Sequence, residues 1–186
     1  MGSRYLGPWR IDIERRDGVA RLLPDAVLGR AVVAALGAAG APSPASIGLI
    51  LADDTELADL NVTHMGKDGP TDVLSFPLLP ASAFPTHAGK AGSATGQTGA
   101  HTADFALPPG IRPNLGDIVV SVERAIDQAA AGRGGHTGDV RWDARDELRL
   151  LVTHGTLHVC GWDHAEPVEE AAMRDLERRL LGAGPA

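Results

Sequence analysis

The sequence predicts an α+β domain of packed layers, with a mixed sheet of about four strands and about five helices. Segments with strand patterns alternate with helical segments up to about residue 131, and the longest helical segments come last. Gly and Pro mark the boundaries, which is untypical of a coiled coil or a disordered chain. A chain of 186 residues, 44% of them hydrophobic, can bury one core. We therefore expect a single domain over residues 1–186.

The first half of the chain predicts two strands and two helices. Residues 9–15 alternate as a strand does, and residues 45–52 contain an apolar run long enough for burial on both faces of a sheet. Between them, residues 24–36 have apolar side chains at helical spacing, with a proline at the first turn and Gly37 after the last. Asp53 is a typical N-cap residue and predicts a short helix to about residue 61.

The second half predicts two more strands, three more helices and an insertion. Residues 78–114 are rich in Gly, Ala, Ser, Thr and Pro, which predicts a long loop or disordered insertion. Its deletion should not unfold the domain. The predicted elements are strands at residues 72–76 and 117–122, and helices at residues 123–131, 142–160 and 167–181.

Charge and cysteine usage exclude several classes of protein. The formal net charge is −7, which argues against indiscriminate nucleic-acid binding, because such binding is driven by neutralisation of phosphates. Cys160 is the only cysteine, so an internal disulfide is excluded. The N-terminus lacks an apolar signal core, and no apolar run approaches the roughly 18 residues of a membrane span. We expect a cytoplasmic protein with no membrane contact and no DNA partner.

Three histidines with metal-ligand spacing lie near the end of the chain. On a helix, His154 and His158 are one turn apart on the same face, roughly 6 Å along the axis. Gly161 is the residue type that ends a helix in the left-handed conformation, and such a reversal would bring His164 to the same point. Any one of these histidines alone is more often an ordinary polar residue. Together they predict a single metal site.

Three neutral imidazoles around Zn²⁺ leave a fourth coordination position for water, which distinguishes a catalytic site from a closed structural one. Zinc lowers the pKa of that water and polarises a carbonyl or phosphoryl oxygen. The pattern therefore predicts a hydrolase in which His154, His158 and His164 bind one zinc ion and form the catalytic centre. The sequence identifies no general base.

The same histidine spacing occurs in the metzincin proteases. Their signature has Glu as its second residue, because that carboxylate is the base that activates the water. This sequence has Gly155 there instead. A zinc metallopeptidase is therefore an alternative that the glycine disfavours.

Residues 154–164 resemble the three-histidine motif of the endoribonuclease YbeY family, in which Gly follows the first His and the motif ends Gly-aromatic-Asp-His. Residues 60–61 and 66–77, the latter reading Gly-Lys-Asp-Gly-Pro-Thr-Asp-Val-Leu-Ser-Phe-Pro, are similar to a second signature of that family. Residues 116–118, Gly-Asp-Ile at the start of a strand, are similar to a third. Apart from the insertion, the resemblance covers roughly residues 47–181.

The resemblance implies a metal-dependent endoribonuclease that acts on single-stranded RNA. It implies a role in maturing the 3′ end of 16S ribosomal RNA and in ribosome quality control, with the small ribosomal subunit and its assembly factors as partners. It also places Zn²⁺ on His154, His158 and His164. The alternative outside enzymes is a non-catalytic ribosome assembly factor in which the same histidines hold a structural metal.

One departure from the family pattern concerns RNA binding. The family has Tyr-Arg where this chain has His64 and Met65, and that arginine is taken to contact an RNA phosphate. A thioether cannot replace a guanidinium in this role. Lys67 lies two residues away and could supply a point charge, so we expect it to bind substrate.

Several other residues near these motifs have structural and functional interpretations. Asp163 fits an acceptor that orients a ligand imidazole, or a cap at the helix end. Trp162 fits stacking on a base, or shielding of the metal. For the rest the structural interpretation is preferred: Asp117 fits a turn, Cys160 fits packing, and His64 fits the surface.

Overall fold

The protein is described by a computed structural model that covers residues 2–87, 112–132 and 143–182. This part of the chain forms one five-stranded sheet and five α-helices. The strands are β1 (Gly2–Leu6), β2 (Trp9–Arg15), β3 (Ala45–Ala52), β4 (Val73–Pro77) and β5 (Asn114–Ser121). The helices are α1 (Asp25–Ala38), α2 (Asp54–Met65), α3 (Val122–Ala130), α4 (Ala144–Val159) and α5 (Pro167–Gly182). The predicted α+β class is confirmed.

The sheet is mixed, in the order β1-β2-β3-β5-β4. β1 pairs antiparallel with β2, and β4 antiparallel with β5, while β3 pairs parallel with both β2 and β5. Parallel neighbours need a crossover connection, and α1 provides the one between β2 and β3. In this order β4 is an edge strand, and α4 packs against it.

The two faces of the sheet have separate hydrophobic cores. α1 and α4 cover one face, where Leu49 and Ile118 belong to the main core. α2 covers part of the other face, where Leu57 packs with Leu74 and Val119. The apolar run in β3 predicted burial on both faces, but the residues between its fully buried ones are only half-buried, because α2 covers only part of the second face.

β1 was not among the predicted strands. Its side chains are almost all exposed, so it lacks the apolar alternation that marks a strand. A tight turn with Gly7 at φ +60° returns the chain into β2. Across the hairpin, Ser3 Oγ donates a hydrogen bond to Asp12 at 2.5 Å, and Arg10, in the same strand as Asp12, donates to that carboxylate at 2.6 Å. Backbone pairing with β2 and the Ser3–Asp12 hydrogen bond, rather than an apolar pattern, form this strand.

The predicted insertion begins later than expected. Leu78 donates its backbone N–H to Leu115 O at 3.0 Å, a short 3₁₀ helix covers Ala81–Ala83, and Phe84 is buried in the main core. Residues 78–84 thus make contacts with the rest of the domain that a loop need not make, and the prediction that deleting residues 78–114 leaves the domain folded stays a prediction. Residues 88–111 lie outside the described residues.

α4 is the central helix of the domain and carries the histidine motif. Its N-cap is Asp143, whose carboxylate accepts hydrogen bonds from the backbone N–H groups of Arg145 and Asp146. Most of its side chains are buried, because it packs against β4, β5, α1, α3 and α5. The predicted start at Trp142 lies outside the described residues. Within the described ranges no helix is long and apolar enough to cross a membrane.

A candidate metal centre

The three predicted histidines come together at the C-terminal end of α4. His154 and His158 lie one turn apart on the same face of the helix, with ring centroids 4.4 Å apart. His164 approaches from the following turn, and its ring centroid lies 5.5 Å from that of His154 and 5.0 Å from that of His158. One ligand atom from each ring can be chosen so that all three lie within 4.8 Å of one another.

The turn after α4 has the geometry of a Schellman motif. The N–H of Trp162 bonds to Leu157 O at 3.1 Å, and the N–H of Gly161 bonds to His158 O at 2.9 Å. Gly161 has φ +81°, a conformation that costs a residue with a side chain about 1–2 kcal/mol. The predicted helix end is confirmed, and this reversal is what returns His164 towards α4.

Hydrogen bonds fix the tautomer and orientation of the two helical histidines. His154 Nδ1 lies 2.7 Å from Glu177 Oε1, and His158 Nδ1 lies 2.9 Å from Trp162 O. A neutral imidazole has one N–H, and in both rings Nδ1 needs it to donate to an oxygen. When both rings are neutral, the two Nε2 atoms, 2.9 Å apart, present lone pairs to each other. A cation shared between them would remove the repulsion of these lone pairs.

The protonation state of His158 suits metal binding. Burial lowers its pKa to about 4, and the neighbouring His154 and His164 act in the same direction because a second positive charge would be repelled. The ring is therefore neutral at neutral pH, with its Nε2 lone pair available. Three imidazoles form a donor set that suits zinc and several other transition metals.

Gly155 lies where α4 packs against β4 and β5. A Cβ atom at this position would lie 2.6 Å from Ile118 Cγ2 and 2.8 Å from Val73 Cγ2. Ser75 Oγ also donates a hydrogen bond to Gly155 O at 3.0 Å. A side chain there would require α4 or the side chains of Ile118 and Val73 to shift, so the packing disfavours the glutamate of a metzincin protease.

The histidines lie in an open cleft of about 1410 Å³ between α4, α5, β4 and the loop after α2. His154 is mostly buried in its wall, while His164 is exposed. Acidic residues line much of the cleft: Asp68, Asp72, Asp163, Glu166, Glu169 and Glu170. Among the described residues, Lys67 and Arg174 are its only lysine or arginine side chains. The cleft as a whole is therefore acidic, with one cation contributed by the loop after α2 and one by α5.

Lys67 and Met65 both line this cleft: Met65 is the last residue of α2, and Lys67 lies in the loop that follows it. Gly66 ends α2 with φ +63°, and Asn61 Nδ2 donates to Gly69 O at 2.8 Å, which ties the loop back to the helix. Met65 is 48% exposed. The structure thus brings Lys67 to the same cleft as the histidines.

Glu177 is the site residue that the sequence did not identify. It is only 4% exposed. Carboxylates are almost never buried without a partner, and here the partner is His154. In the sequence, the feature that could have predicted its burial is its position beside the apolar residues of α5, next to Leu176 and one turn after Met173. Asp163, which was considered for this orienting role, instead accepts a hydrogen bond from the backbone N–H of His164 at 2.7 Å.

The structure also places the other residues considered from the sequence. Asp117 lies within β5 rather than in a turn, and its Oδ1 is 2.1 Å from where a Cβ of Gly48 would be, so the turn interpretation is wrong. Cys160 is buried, and burial raises the pKa of its thiol to about 12, in agreement with a packing role. His64 is exposed and meets the ring of Phe76 edge-on at 5.1 Å.

The fold and the site define the class of protein: an α+β domain with a three-histidine group that could hold a metal ion at the end of a central helix. The family model described as "Endoribonuclease YbeY" matches residues 22–183. The chain therefore belongs to the endoribonuclease YbeY family.

Individual relatives agree with this assignment. The chain is 39% identical to an endoribonuclease YbeY of Salinispora tropica, over 93% of this chain and 94% of that protein. It is 33% identical to one of Roseiflexus castenholzii, over 93% of this chain and 91% of that protein. The solution structure of a Thermotoga maritima protein shares the fold, with a TM-score of 0.50 and 19% identity over 92% of this chain and 89% of that one.

Proposed function

We propose that this protein is a zinc-dependent endoribonuclease that cleaves single-stranded RNA in the maturation of the 16S ribosomal RNA 3′ end. The observation that carries the proposal is the convergence of three imidazoles in an open cleft: the Nε2 atoms of His154 and His158 lie 2.9 Å apart, with His164 beside them. Family membership supports RNA as the class of substrate.

The donor set fits zinc. Imidazole nitrogens that bind one tetrahedral zinc ion lie about 3.3 Å apart, which is close to the separation of the two Nε2 atoms. His154, His158 and His164 would hold the ion. When bound, it supplies Lewis acidity towards a phosphoryl oxygen and makes water more acidic. Because His164 is exposed, the site is open to the cleft, as a catalytic centre requires.

The protein's own groups orient the ligands. Glu177 and the Trp162 carbonyl accept the Nδ1 protons of His154 and His158, which fixes both rings with Nε2 towards the shared point. Burial of Glu177 keeps water from competing for this hydrogen bond. The chain therefore prepares the ligand geometry in advance, which lowers the cost of binding the ion.

Substrate binding is proposed for Lys67. A phosphodiester entering the cleft meets many carboxylates, so the few cations there decide where phosphates can lie. Among the described residues Lys67 has no ion-pair partner, whereas Arg174 Nη2 lies 2.6 Å from Glu170 Oε1. The lysine is thus the cation more available to a phosphate.

The metal site is tested by the metal content of purified protein. We expect about one zinc per chain in the unaltered protein, and loss of it in His158→Ala and His164→Ala. His164 is exposed, so its replacement leaves the core packing intact. His64→Ala is the matched control, since this exposed histidine does not line the cleft, and should keep its zinc. Equal zinc in all four proteins would contradict the site.

The reaction is tested by single-turnover cleavage of a single-stranded RNA that spans the 3′ end of 16S ribosomal RNA. We expect cleavage that a chelator abolishes and added zinc restores, with no cleavage of DNA of the same sequence. Zinc binding without any RNA cleavage would favour an assembly factor with a structural metal. Cleavage of casein instead would favour a peptidase.

The ribosomal partners are a further part of the proposal, supported by family membership alone. The small ribosomal subunit and its assembly factors are the expected partners. Sedimentation of the protein with purified small subunits, but not with large ones, checks this expectation. Absence from both would contradict it without affecting the metal site.

A further inference from the structure

His87 makes two contacts with the turn that follows α4. Its ring stacks on Trp162, with centroids 3.9 Å apart and planes 7° from parallel. Its Nε2 lies 3.2 Å from Gly161 O, and because a carbonyl only accepts, the histidine donates this hydrogen bond. A single side chain therefore holds two successive residues of the turn, one through its ring face and one through its N–H.

This turn determines the orientation of His158. The carbonyl of Trp162 accepts the Nδ1 proton of His158 at 2.9 Å, and His164 follows two residues later. A shift of the backbone at Gly161 and Trp162 would move the Trp162 carbonyl, and would therefore disturb the orientation of His158 and the position of His164. Trp162 also packs against the main core, so it is a firm surface for the stacked ring.

His87 is itself held in place from the other side. Phe84, three residues earlier, is buried in the main core, and Pro85 lies within 2.8 Å of where a Cβ of Gly40 would be. His87 is not among the residues that line the cleft, whereas Trp162 is. The histidine therefore contacts the turn from outside the cleft.

We propose that His87 is a positioning residue for the metal site: its stacking on Trp162 and its hydrogen bond to Gly161 fix the turn that orients His158 and His164. The inference rests on the proposed metal site. A flat ring with an N–H at its edge is needed for both contacts at once, which phenylalanine and glutamine each satisfy only in part.

The test is the affinity for Zn²⁺, measured by competition with a chromophoric chelator. Loss of partners that orient metal ligands typically weakens metal binding about 10–100-fold. We expect His87→Ala to fall in this range, with smaller losses for His87→Phe, which keeps the stacking, and His87→Gln, which keeps a donor. His64→Ala should bind as the unaltered protein does. The visible absorption of the Co²⁺-loaded proteins gives a second readout, because it reports ligand geometry, and should change in the same order.

The outcomes separate this inference from the metal site itself. If the unaltered protein binds Zn²⁺ and His158→Ala does not, the metal site stands. Wild-type Zn²⁺ affinity in both His87→Phe and His87→Ala then overturns the role of His87. If urea denaturation shows that His87→Ala is not folded, wild-type Zn²⁺ affinity in both His87→Phe and His87→Gln overturns the role of His87 equally. Zn²⁺ affinity that is the same in the unaltered protein and in His158→Ala overturns the metal site, and the inference with it.

Discussion

His154 Nδ1 and Glu177 Oε1 are 2.7 Å apart, although the two residues are separated by 23 positions in the sequence. This contact joins α4 to α5 at the histidine cluster. It places a carboxylate behind an imidazole whose other nitrogen faces the cleft, an arrangement that orients histidine ligands in many metal sites.

Glu177→Ala should weaken zinc binding about 10–100-fold, because His154 loses the acceptor that fixes its tautomer. Glu177→Gln keeps an acceptor oxygen and should lose less. Asp175→Ala on the same helix is the control, since Asp175 is exposed and pairs with Arg178 and Arg179. Chelator competition measures all three. Equal affinity in Glu177→Ala and the unaltered protein would show that the contact does not support the site.

Gly155→Ala should destabilise the protein despite adding a better helix former. The overpacking against Val73 and Ile118 costs about 1–3 kcal/mol, and the helix propensity of alanine returns about 1 kcal/mol, so the net loss is up to about 2 kcal/mol. Zinc affinity should fall as well, because α4 must move away from the sheet to make room. Urea denaturation and zinc competition measure the two effects.

The control for this substitution is Gly37→Ala in α1. A Cβ there would have its nearest contact at 3.8 Å, with Trp9, so no overpacking arises. We expect a gain of about 0.5–1 kcal/mol from helix propensity. If Gly155→Ala and Gly37→Ala both stabilise the protein, the close packing of α4 against the sheet at Gly155 is refuted.

Lys67→Ala should weaken RNA binding and make it less sensitive to salt. For single-stranded nucleic acid, the slope of log K against log salt is about −0.7 per phosphate contact. If Lys67 makes one phosphate contact, its loss in the variant should make the slope less negative by about 0.7. Binding is measured with a chelator present, so that no cleavage occurs.

Arg178→Ala is the control for Lys67, because Arg178 is exposed on α5 and does not line the cleft. Its salt slope and its zinc content should equal those of the unaltered protein. An unchanged salt slope in Lys67→Ala would show that the lysine does not contact the RNA.

Cys160 should be unreactive towards thiol reagents in the folded protein. Burial raises the pKa of its thiol from the ordinary value of 9.0 to about 12, so the reactive thiolate is scarce at pH 8. The unfolded chain releases this proton at lower pH than the folded one, so stability falls as pH rises between about 9 and 12.

The expected size of this effect is roughly 1 kcal/mol per pH unit over that range. Cys160→Ala should lack this component, so the difference in unfolding free energy between the two proteins should shift as pH rises from 8 to 10. Rapid labelling of the folded protein at pH 8 would contradict the burial of the thiol.

The sequence by itself determined those features whose cause is local. The helix end at Gly161, the N-cap at Asp53 and the strand over residues 45–52 follow from backbone conformation, capping and apolar pattern. The spacing of His154 and His158 likewise puts two imidazoles on one face of any helix. These predictions needed no knowledge of what lies opposite.

The tertiary structure decided everything that depends on contact between distant segments. β1 pairs with β2 without an apolar pattern of its own, Phe84 is buried in the core from a segment that the composition assigned to a loop, and Glu177 contacts His154 from another helix. A residue's own neighbours in sequence do not contain this information, because burial and pairing are properties of the space between elements. Gly155 illustrates the difference. The sequence disfavoured a protease because the glutamate is missing. The structure adds the physical reason, because a side chain at this position would collide with Ile118 and Val73 of the sheet.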